Sequence, residues 1–384
     1  MKYTIAQVAT IIDGDRGVNY PKQNEFKSDG YCLFLNTGNV TQDGFSFDSN
    51  QFITNEKDQL LRKGKLQRGD IVYTTRGTIG NAAFYSDKVP FDNIRINSGM
   101  VILRCKKEII DVRYLYQVLK SSYYRPYFRQ YCTGSAQPQL PIKDLSKIVI
   151  DIPDLNTQER IASILSAYDS LIETNRRQIK LLEEAAQRLY KEWFVDLRFP
   201  GWEETKIVDG TPEGWRWVNF TEVVPIVTGK KDANFGTPDG NFLFFTCAQT
   251  PIKAPSYSFD CSAVILAGNG DFNVKLYRGK FEAYQRTYVL SPNKNEHLHI
   301  LYNTVRENMA RLFQGASGST IKFLTKHMLE EIKILIPSDA LLETYNQISE
   351  FIQNKIECLS SQIVLSSESR DRLLPKLMTG EIEV

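Results

Sequence analysis

Apolar residues recur at alternating steps of four and three along residues 156–194, which indicates a helix that packs along one narrow stripe. A spacing that averages about 3.5 residues keeps this stripe toward a partner helix, and the polar Asn175 within it favours one fixed register. At about 1.5 Å per residue the helix is roughly 55 Å long, which suits a spacer. The stripe contains Ile161, Leu165, Tyr168, Ile172, Asn175, Ile179, Leu182, Ala186, Leu189 and Trp193.

Short apolar runs separated by turn residues lie on both sides of this helix and predict mixed α and β regions. Before it, strands are predicted at YTIAQVATII, CLFLN, DIVYTT, AAFY, MVILRC and SKIVIDIP. One amphipathic helix is predicted over residues 111–131, and Asn156 or Thr157 is predicted to cap the long helix. A linker rich in Pro and Gly follows Trp193. The same order of strands then returns, with a helix near residues 298–313.

The chain contains an internal duplication. Residues 134–194 align without a gap to residues 318–378, and eighteen of the sixty-one positions are identical, including Gly134–Ser135 with Gly318–Ser319. Two long repeats predict two similar domains related by a pseudo-twofold axis. The second long helix is predicted over about residues 341–374, with Pro375 stopping or kinking it. Its stripe contains Ile352, Ile356, Leu359, Ile363 and Leu373.

Three stripe positions of the second helix are polar. Ser349, Ser366 and Arg370 stand where the first helix has Leu165, Leu182 and Ala186. Either the helix pair is looser toward one end, or these positions face a partner protein.

Composition narrows the class of protein. The chain has 384 residues, 42% of them hydrophobic, which is enough for two or three domains. Residues 1–150 hold 21 Lys and Arg against 14 Asp and Glu, which favours an anionic polymer as partner. Six cysteines without a CxxC pair and three scattered histidines predict reduced thiols and no metal site. No signal peptide or membrane span is evident, so we expect a soluble cytoplasmic protein without a membrane partner.

The order of these features resembles the specificity subunit of Type I restriction-modification systems. The resemblance rests on NRRQIKLLEE in the first helix, PKLMTGEI after the second, and the phrases GDIVYTTRGTIG, GKFEAYQRTYVL and VIDIPDLNTQERIASIL. It implies an α+β fold with two pseudo-symmetric α/β target recognition domains, separated by two long conserved helices packed as an antiparallel coiled coil. The implied segments are recognition domain 1 (1–153), spacer helix 1 with the start of a linker (154–200), recognition domain 2 (201–337) and spacer helix 2 (338–384).

The resemblance also implies function. Each recognition domain would read one half of an asymmetric bipartite site in double-stranded DNA, and the helices would set the spacing and dock two methyltransferase subunits. Those subunits would bind S-adenosylmethionine and methylate adenine N6, and endonuclease/translocase subunits would complete the complex. The chain itself would have no cofactor and no catalytic residue. The sequence agrees in lacking NPPY-type, GxGxxG and GxxxxGK[ST] motifs. The alternatives are a DNA-binding regulator that needs no partner and a divergent nuclease.

Polar loops with glycine are the candidates for DNA contact, because glycine lets the backbone approach a phosphate and Arg and Asn suit base edges. The alternative for each loop is a solvated turn that does not contact DNA. In the first domain the candidates are Arg16, Asn19, Thr75, Arg76, Gly77 and Thr78. In the second domain they are Lys230, Lys231, Asn269, Asp271, Asn273, Gln285 and Arg286.

Overall fold

The computed structural model describes residues 1–134, 137–318 and 322–384. Two compact units make up the chain: unit 1 contains Met1–Asn175 and Ser361–Val384, and unit 2 contains Arg176–Ser360. Each unit therefore combines one predicted recognition domain with parts of both long helices. Ser135 and Ser319 of the repeated Gly-Ser pairs lie outside the described residues. The four segment boundaries implied by the resemblance stay a prediction.

The first half of the chain alternates short strands and short helices before one long helix. Its elements are β1 (Lys2–Thr4), α1 (Ile5–Val8), β2 (Ala9–Asp13), β3 (Cys32–Leu35), β4 (Val40–Thr41), β5 (Gly44–Phe45), β6 (Phe52–Ile53), α2 (Asn55–Leu60), β7 (Ile71–Thr74), β8 (Ala82–Phe84), β9 (Ile94–Ile96), β10 (Met100–Cys105), α3 (Val112–Lys120), α4 (Arg125–Arg129), α5 (Ile142–Leu145), β11 (Val149–Asp151) and α6 (Leu155–Tyr190).

The second half follows a similar order. A π-helical turn over Lys191–Val195 ends α6. The further elements are β12 (Ile207–Val208), β13 (Thr211–Pro212), β14 (Arg216–Asn219), α7 (Phe220–Val223), β15 (Val227–Thr228), β16 (Phe242–Phe245), β17 (Ile252–Ala254), β18 (Phe259–Ala267), β19 (Val274–Ala283), β20 (Thr287–Leu290), α8 (Leu298–Glu307), α9 (Met309–Gly315), α10 (Lys326–Glu330), β21 (Lys333–Ile336) and α11 (Asp339–Thr379).

The main sheet of unit 1 has the strand order β2-β10-β7-β8 and is antiparallel throughout. Its side chains alternate between two apolar cores: Ile71 and Tyr73 pack on one face, and Val72 packs on the other. A sheet that is buried on both faces needs continuous apolar strands. This explains why DIVYTT and MVILRC lack the polar alternation of a half-exposed strand.

Unit 2 is built on a six-stranded sheet with the order β15-β20-β18-β19-β16-β17. Among the described strand pairs of this sheet, β16 and β19 run parallel and the other four pairs run antiparallel. Val264 and Leu266 face the larger core, which also contains aromatic residues from the end of α6, while Ile265 faces the smaller one. The two units thus use the same two-faced sheet as their framework.

Backbone hydrogen bonds repeat between the units at the spacing of the duplication. The Ile5 N–H donates to Ile148 O over 3.0 Å, and the Phe220 N–H donates to Ile332 O over 3.2 Å. The acceptors are 184 residues apart. In each unit, these bonds hold a short helix beside an antiparallel pair, β1 with β11 or β14 with β21. The duplication predicted from the sequence is confirmed in this part of the fold.

Several helix boundaries differ from the predictions, each for a local reason. YTIAQVATII is not one strand, because the Thr4 N–H donates to Gln7 Oε1 (2.7 Å) and α1 interrupts the strand. Asp154, not Asn156 or Thr157, caps α6, since its carboxylate accepts from the Thr157 N–H (3.1 Å) and hydroxyl (2.7 Å). The helix over residues 298–313 is divided at Asn308 into α8 and α9.

The structure also corrects one predicted helix and the prediction that Pro375 stops the second long helix. The helix predicted over residues 111–131 is broken at Ser121, whose hydroxyl accepts from the Tyr123 N–H over 3.0 Å. Such local bonds compete with the helical ladder. Pro375 does not end the second long helix, because α11 continues to Thr379. Burial of Leu374 and Leu377 in the core of unit 1 favours this continuation.

Within unit 1 the two long helices run antiparallel. Arg160 contacts Val384, Asp169 contacts Arg370, and Asn175 donates to Gln362 over 3.2 Å, so the partner number falls as the position rises. The predicted stripe lies in this contact. Of its members in unit 1, Ile161, Leu165, Ile172 and Asn175 are buried, and Tyr168, Ile363 and Leu373 are half-buried.

In unit 2 the stripe is less completely covered. Trp193 and Phe194 pack against Tyr345 of α11, with ring centroids 5.8 and 4.9 Å apart. Leu359 is buried, whereas Ile179, Leu182, Leu189, Ile352 and Ile356 are half-buried.

The three polar stripe positions of the second long helix do not face outward. The alternative that they face a partner protein is therefore wrong. Ser349 and Ser366 are buried, and the Arg370 guanidinium donates to Asp169 over 2.6 Å. Asp169 also accepts from Gln117 over 2.6 Å and lies 3.3 Å from the Lys120 ammonium. Burial alone would raise the pKa of Asp169, but the Lys120 charge, the Gln117 amide and Arg370 together lower it. A charged network therefore replaces apolar packing at this point.

A second charged network, in unit 2, predicts a pH-dependent stability. Arg278 donates two hydrogen bonds to Glu350 (2.6 and 2.7 Å), and His299 Nε2 lies 3.0 Å from the same carboxylate. The Arg278 bonds above all lower the pKa of Glu350 from 4.5 to about 2, and the His299 bond adds to this. A carboxyl group with a lowered pKa stabilises the fold above its unfolded-state pKa, and this contribution is lost as the pH falls toward 2.

We therefore expect Glu350→Gln to unfold at lower urea than the wild-type chain at about pH 6, with the difference shrinking toward about pH 3. All four tryptophans, Trp193, Trp202, Trp215 and Trp217, belong to unit 2, so tryptophan fluorescence reports its unfolding. A difference that stays constant with pH would contradict this assignment.

Candidate DNA interface

The β7–β8 loop of unit 1 presents the first group of predicted residues. The N–H groups of Thr75 and Arg76 donate to Gly99 O over 2.9 and 3.1 Å, which fixes the start of the loop. Gly77 has a φ of 67°, a conformation that glycine adopts without strain. Arg76, Gly77 and Thr78 are exposed, whereas Thr75 is buried and its hydroxyl donates to Gly99 O. Thr75 thus supports the loop, and its neighbours are available for contact.

Arg16 lies close to the same loops. Its Nη2 donates to Ser98 O over 3.3 Å and to Asp13 over 3.2 Å, and Ser98 precedes the Gly99 that holds the β7–β8 loop. Thr78 reaches a third loop by donating to Thr37 O over 3.4 Å. The structure therefore brings Arg16 together with residues 76–78.

Asn19 does not join the group of Arg16 and residues 76–78, since its amide donates to Leu60 O over 3.3 Å. The buried Asp15 anchors its loop by accepting from the N–H groups of Gly17 and Arg62, each over 2.7 Å. Burial would raise the pKa of Asp15, but these backbone bonds lower it. The carboxylate is thus a structural anchor between Arg16 and Asn19.

Unit 2 gathers its predicted residues at one end of the six-stranded sheet. The Gln285 N–H donates to Lys231 O (2.9 Å), and its side chain donates to Asp232 (2.8 Å). The Gly268 N–H donates to Arg286 O (2.8 Å), which ties residues 285–286 to the β18–β19 loop. The Lys231 ammonium lies 4.4 Å from the Phe235 ring centroid.

The predicted residues of unit 2 differ in whether their side chains are exposed and free to contact DNA. Lys230, Asp271 and Arg286 are exposed, and Asn269 is half-buried. The Asn273 side chain makes hydrogen bonds within the chain: its amide donates to Cys247 O over 3.0 Å, and its oxygen accepts from Lys275.

Equivalent backbone bonds show which loop positions correspond in the two units. The Leu140 N–H donates to Thr75 O (2.9 Å), and the Leu324 N–H donates to Gly268 O (2.8 Å). The next residues, Arg76 and Asn269, form matching bridges with Gln139 and Phe323, which are 184 positions apart. One framework thus presents arginine in unit 1 and asparagine in unit 2. Arginine suits guanine, and asparagine suits adenine.

Sequence reasoning missed two polar positions of these surfaces. Thr37 contacts Thr78, and the Lys275 ammonium donates to Ala248 O over 3.0 Å. Burial above all lowers the pKa of Lys275. A signal for these loops exists in the sequence, because the segments LFLNTGNV and LFFTCAQT occupy matching places in the two halves.

The described ranges contain neither a metal-binding cluster nor a membrane-spanning helix. Among these side chains, no group of three or more His, Cys, Asp or Glu residues is placed to hold a metal ion. None of the helices within 1–134, 137–318 and 322–384 combines the length and apolar character needed to cross a membrane.

Known proteins match this chain in sequence and in fold. A family model described as the Type I restriction modification DNA specificity domain matches residues 1–184 and 212–362. The EcoDI specificity subunit of Escherichia coli is 37% identical over 169 residues, which are 44% of this chain and 36% of that protein. The MjaIX specificity subunit of Methanocaldococcus jannaschii is 24% identical over 352 residues, 83% of this chain and 78% of that one.

Similarity of fold extends over the chain. The crystal structure of the Type-I restriction-modification system S subunit from M. genitalium superposes with a TM-score of 0.58 at 18% sequence identity, covering 98% of this chain and 95% of that one. The family model matches both halves of the duplication, on segments that contain the loops described above. This chain belongs to the Type I restriction modification DNA specificity domain family.

Proposed function

We propose that this chain is the non-catalytic DNA-reading subunit of a cytoplasmic Type I restriction-modification enzyme. Unit 1 reads one half of an asymmetric bipartite site in double-stranded DNA, and unit 2 reads the other half. The observation that carries this proposal is the equivalence of Arg76 and Asn269, two different side chains held by matching hydrogen bonds in duplicated units. A duplicated framework with different side chains suits two different half-sites.

Exposed apolar side chains on the long helices support docking of two methyltransferase subunits. Ile164 of α6 and Ile348 of α11 are related by the duplication and are both exposed, as are Leu181 and Leu365. Unit 1 thus contains Ile164 and Leu365, while unit 2 contains Ile348 and Leu181. Exposed apolar residues at matching positions suit two copies of one protein partner. In this proposal the partners bind S-adenosylmethionine and methylate adenine, and endonuclease/translocase subunits complete the restriction complex.

Methyl transfer measured with and without partner tests the proposal. We expect the purified chain to transfer no methyl group from S-adenosylmethionine to DNA, and the complex with its cognate methyltransferase to methylate DNA at one bipartite motif. Methyl transfer by the chain alone would contradict the non-catalytic role. Sequence-independent methylation by the complex would contradict the reading role.

A matched pair of substitutions tests the two loops. We expect Arg76→Ala to relax one base position in the half-site of unit 1, and Asn269→Ala to relax one in the half-site of unit 2, each costing about 1–3 kcal/mol of discrimination. The measurement is methylation of a DNA library in which each motif position is varied. Relaxation of the same half-site by both substitutions would contradict the assignment of one half-site to each unit.

A further inference from the structure

Unit 1 contains a cleft beside the Arg76 loop. Its volume is about 590 Å³, and it lies between the β7–β8 loop and α4. Gly77 and Thr78 form one wall, Arg125 and Arg129 of α4 form another, and Pro138 also lines the cleft. The loop that presents Arg76 to solvent therefore also borders this cleft.

The charges that line the cleft have one sign. Arg125 and Arg129 contribute two guanidinium groups, and no Asp or Glu is among the described lining residues. The Nε atom of Arg125 is buried and has no hydrogen-bond partner among the residues that the structure describes. A buried guanidinium donor without a carboxylate nearby favours an anionic acceptor, and phosphate matches the geometry of its donors.

Unit 2 differs at the equivalent place. The 184-residue repeat puts Met309 and Phe313 at the positions of Arg125 and Arg129. The Phe313 ring packs against Phe272 with centroids 5.6 Å apart, and the Lys322 ammonium lies 4.4 Å from the Phe313 centroid. Unit 2 thus has an uncharged methionine and a packed phenylalanine where unit 1 has two arginines, so this pair of guanidinium groups is a property of unit 1.

We propose that Arg125 and Arg129 bind a backbone phosphate of the DNA beside the half-site read by the Arg76 loop. The inference rests on the proposed function, because it takes the adjoining loop to contact DNA. Phosphate contacts position a protein on the duplex and carry no base information, whereas Arg76 reads a base. Unit 1 therefore contributes an additional salt-sensitive anchor that the uncharged Met309 and Phe313 of unit 2 do not provide.

The test measures the affinity of the complex with its methyltransferase subunits for two DNA duplexes, one with the target motif and one with both half-sites scrambled. We expect R125Q/R129Q to weaken binding to both duplexes by a similar factor of about ten, and to reduce the slope of log affinity against log salt by about one. R125K/R129K keeps both charges and should keep most of the salt slope. R113Q is the matched control, since Arg113 already pairs with Asp111 at 3.5 Å.

Three results would overturn the proposal. The first is that R125Q/R129Q has the same DNA affinity and the same salt slope as R113Q. The second is that R125Q/R129Q loses affinity for the target duplex alone. The third is unchanged DNA affinity together with loss of inorganic pyrophosphate binding, which would assign the cleft to a small phosphorylated ligand. A wild-type complex that does not prefer the target duplex would contradict the proposed function instead, and the salt slopes would still decide the role of the two arginines.

Discussion

Exchanging residues 176–360 for the matching segment of another family member should replace one half of the methylated DNA motif and leave the other half unchanged. This segment is unit 2, which contains its own sheet, both of its cores and its own portions of α6 and α11. The exchange therefore moves a complete reader without opening a core. The measurement is sequencing of N6-methyladenine in cells that express the chimera with its methyltransferase.

A narrower exchange over residues 201–335 provides a structural control. It ends inside β21, which pairs with β14. It also separates Trp215 from Phe194 and Phe199, whose ring centroids lie 5.5 and 4.5 Å from its own. We expect this chimera to be less stable than the exchange of the whole unit. A chimera of residues 176–360 that methylates DNA with both half-sites unchanged would show that unit 2 is not a reader.

Replacing Arg95 by Met should reduce the free energy of unfolding of unit 1 by about 3 kcal/mol, the lower end of the range for a broken buried pair, because the buried Asp58 carboxylate keeps only Lys65 as a cationic partner. Arg95 is 5% exposed, and its guanidinium donates to the carboxylate of Asp58, which is 2% exposed. It also donates to Lys63 O over 2.7 Å and to Leu61 O over 3.0 Å. The substitution therefore also removes the donor of the buried bond to Leu61 O and of the part-buried bond to Lys63 O.

Hydrogen exchange of peptides that contain Asp58 and Arg95 measures this effect, since the tryptophans report only unit 2. Arg372→Met is the control, because Arg372 is exposed and lies 3.9 Å from the exposed Glu368. An exposed pair of this kind contributes about 0–1 kcal/mol. Similar protection in the two variants would show that the Arg95 network does not stabilise unit 1.

The parts of the fold that repeat were predictable, because period and duplication are properties of many residues together. The helix stripe from Ile161 to Asn175 lies in the contact with a partner helix that its spacing predicts, and the antiparallel direction agrees with what the resemblance implies. Predictions that depended on single residues were less successful. Ser121 ends a helix through one hydrogen bond to the Tyr123 N–H, and Pro375 is tolerated because its neighbours are buried. Such outcomes depend on competing local and tertiary contacts.

For the candidate DNA interface, the positions of the loops were predictable from the sequence, but the contacts of individual side chains were not. The loops could be located because they follow buried strands and contain glycine, and the structure brings Arg16 together with the Arg76 loop. The sequence could not predict which of these side chains are free to contact DNA and which are bonded within the chain. Thr75 is bonded to Gly99 and Asn273 to Cys247, partners 24 and 26 residues away. The basic cleft could not be predicted, because the sequence predicts one helix over residues 111–131, whereas Arg125 and Arg129 belong to the separate short helix α4.

In the proposed function, this chain selects the DNA motif that its partners methylate. Sequencing of N6-methyladenine across the genome of the host, with and without this gene, tests it most directly. We expect one asymmetric motif with two specified halves separated by unspecified bases to be methylated in the parent and unmethylated after deletion. An unchanged pattern of methylation after deletion would show that this chain does not select the methylated motif.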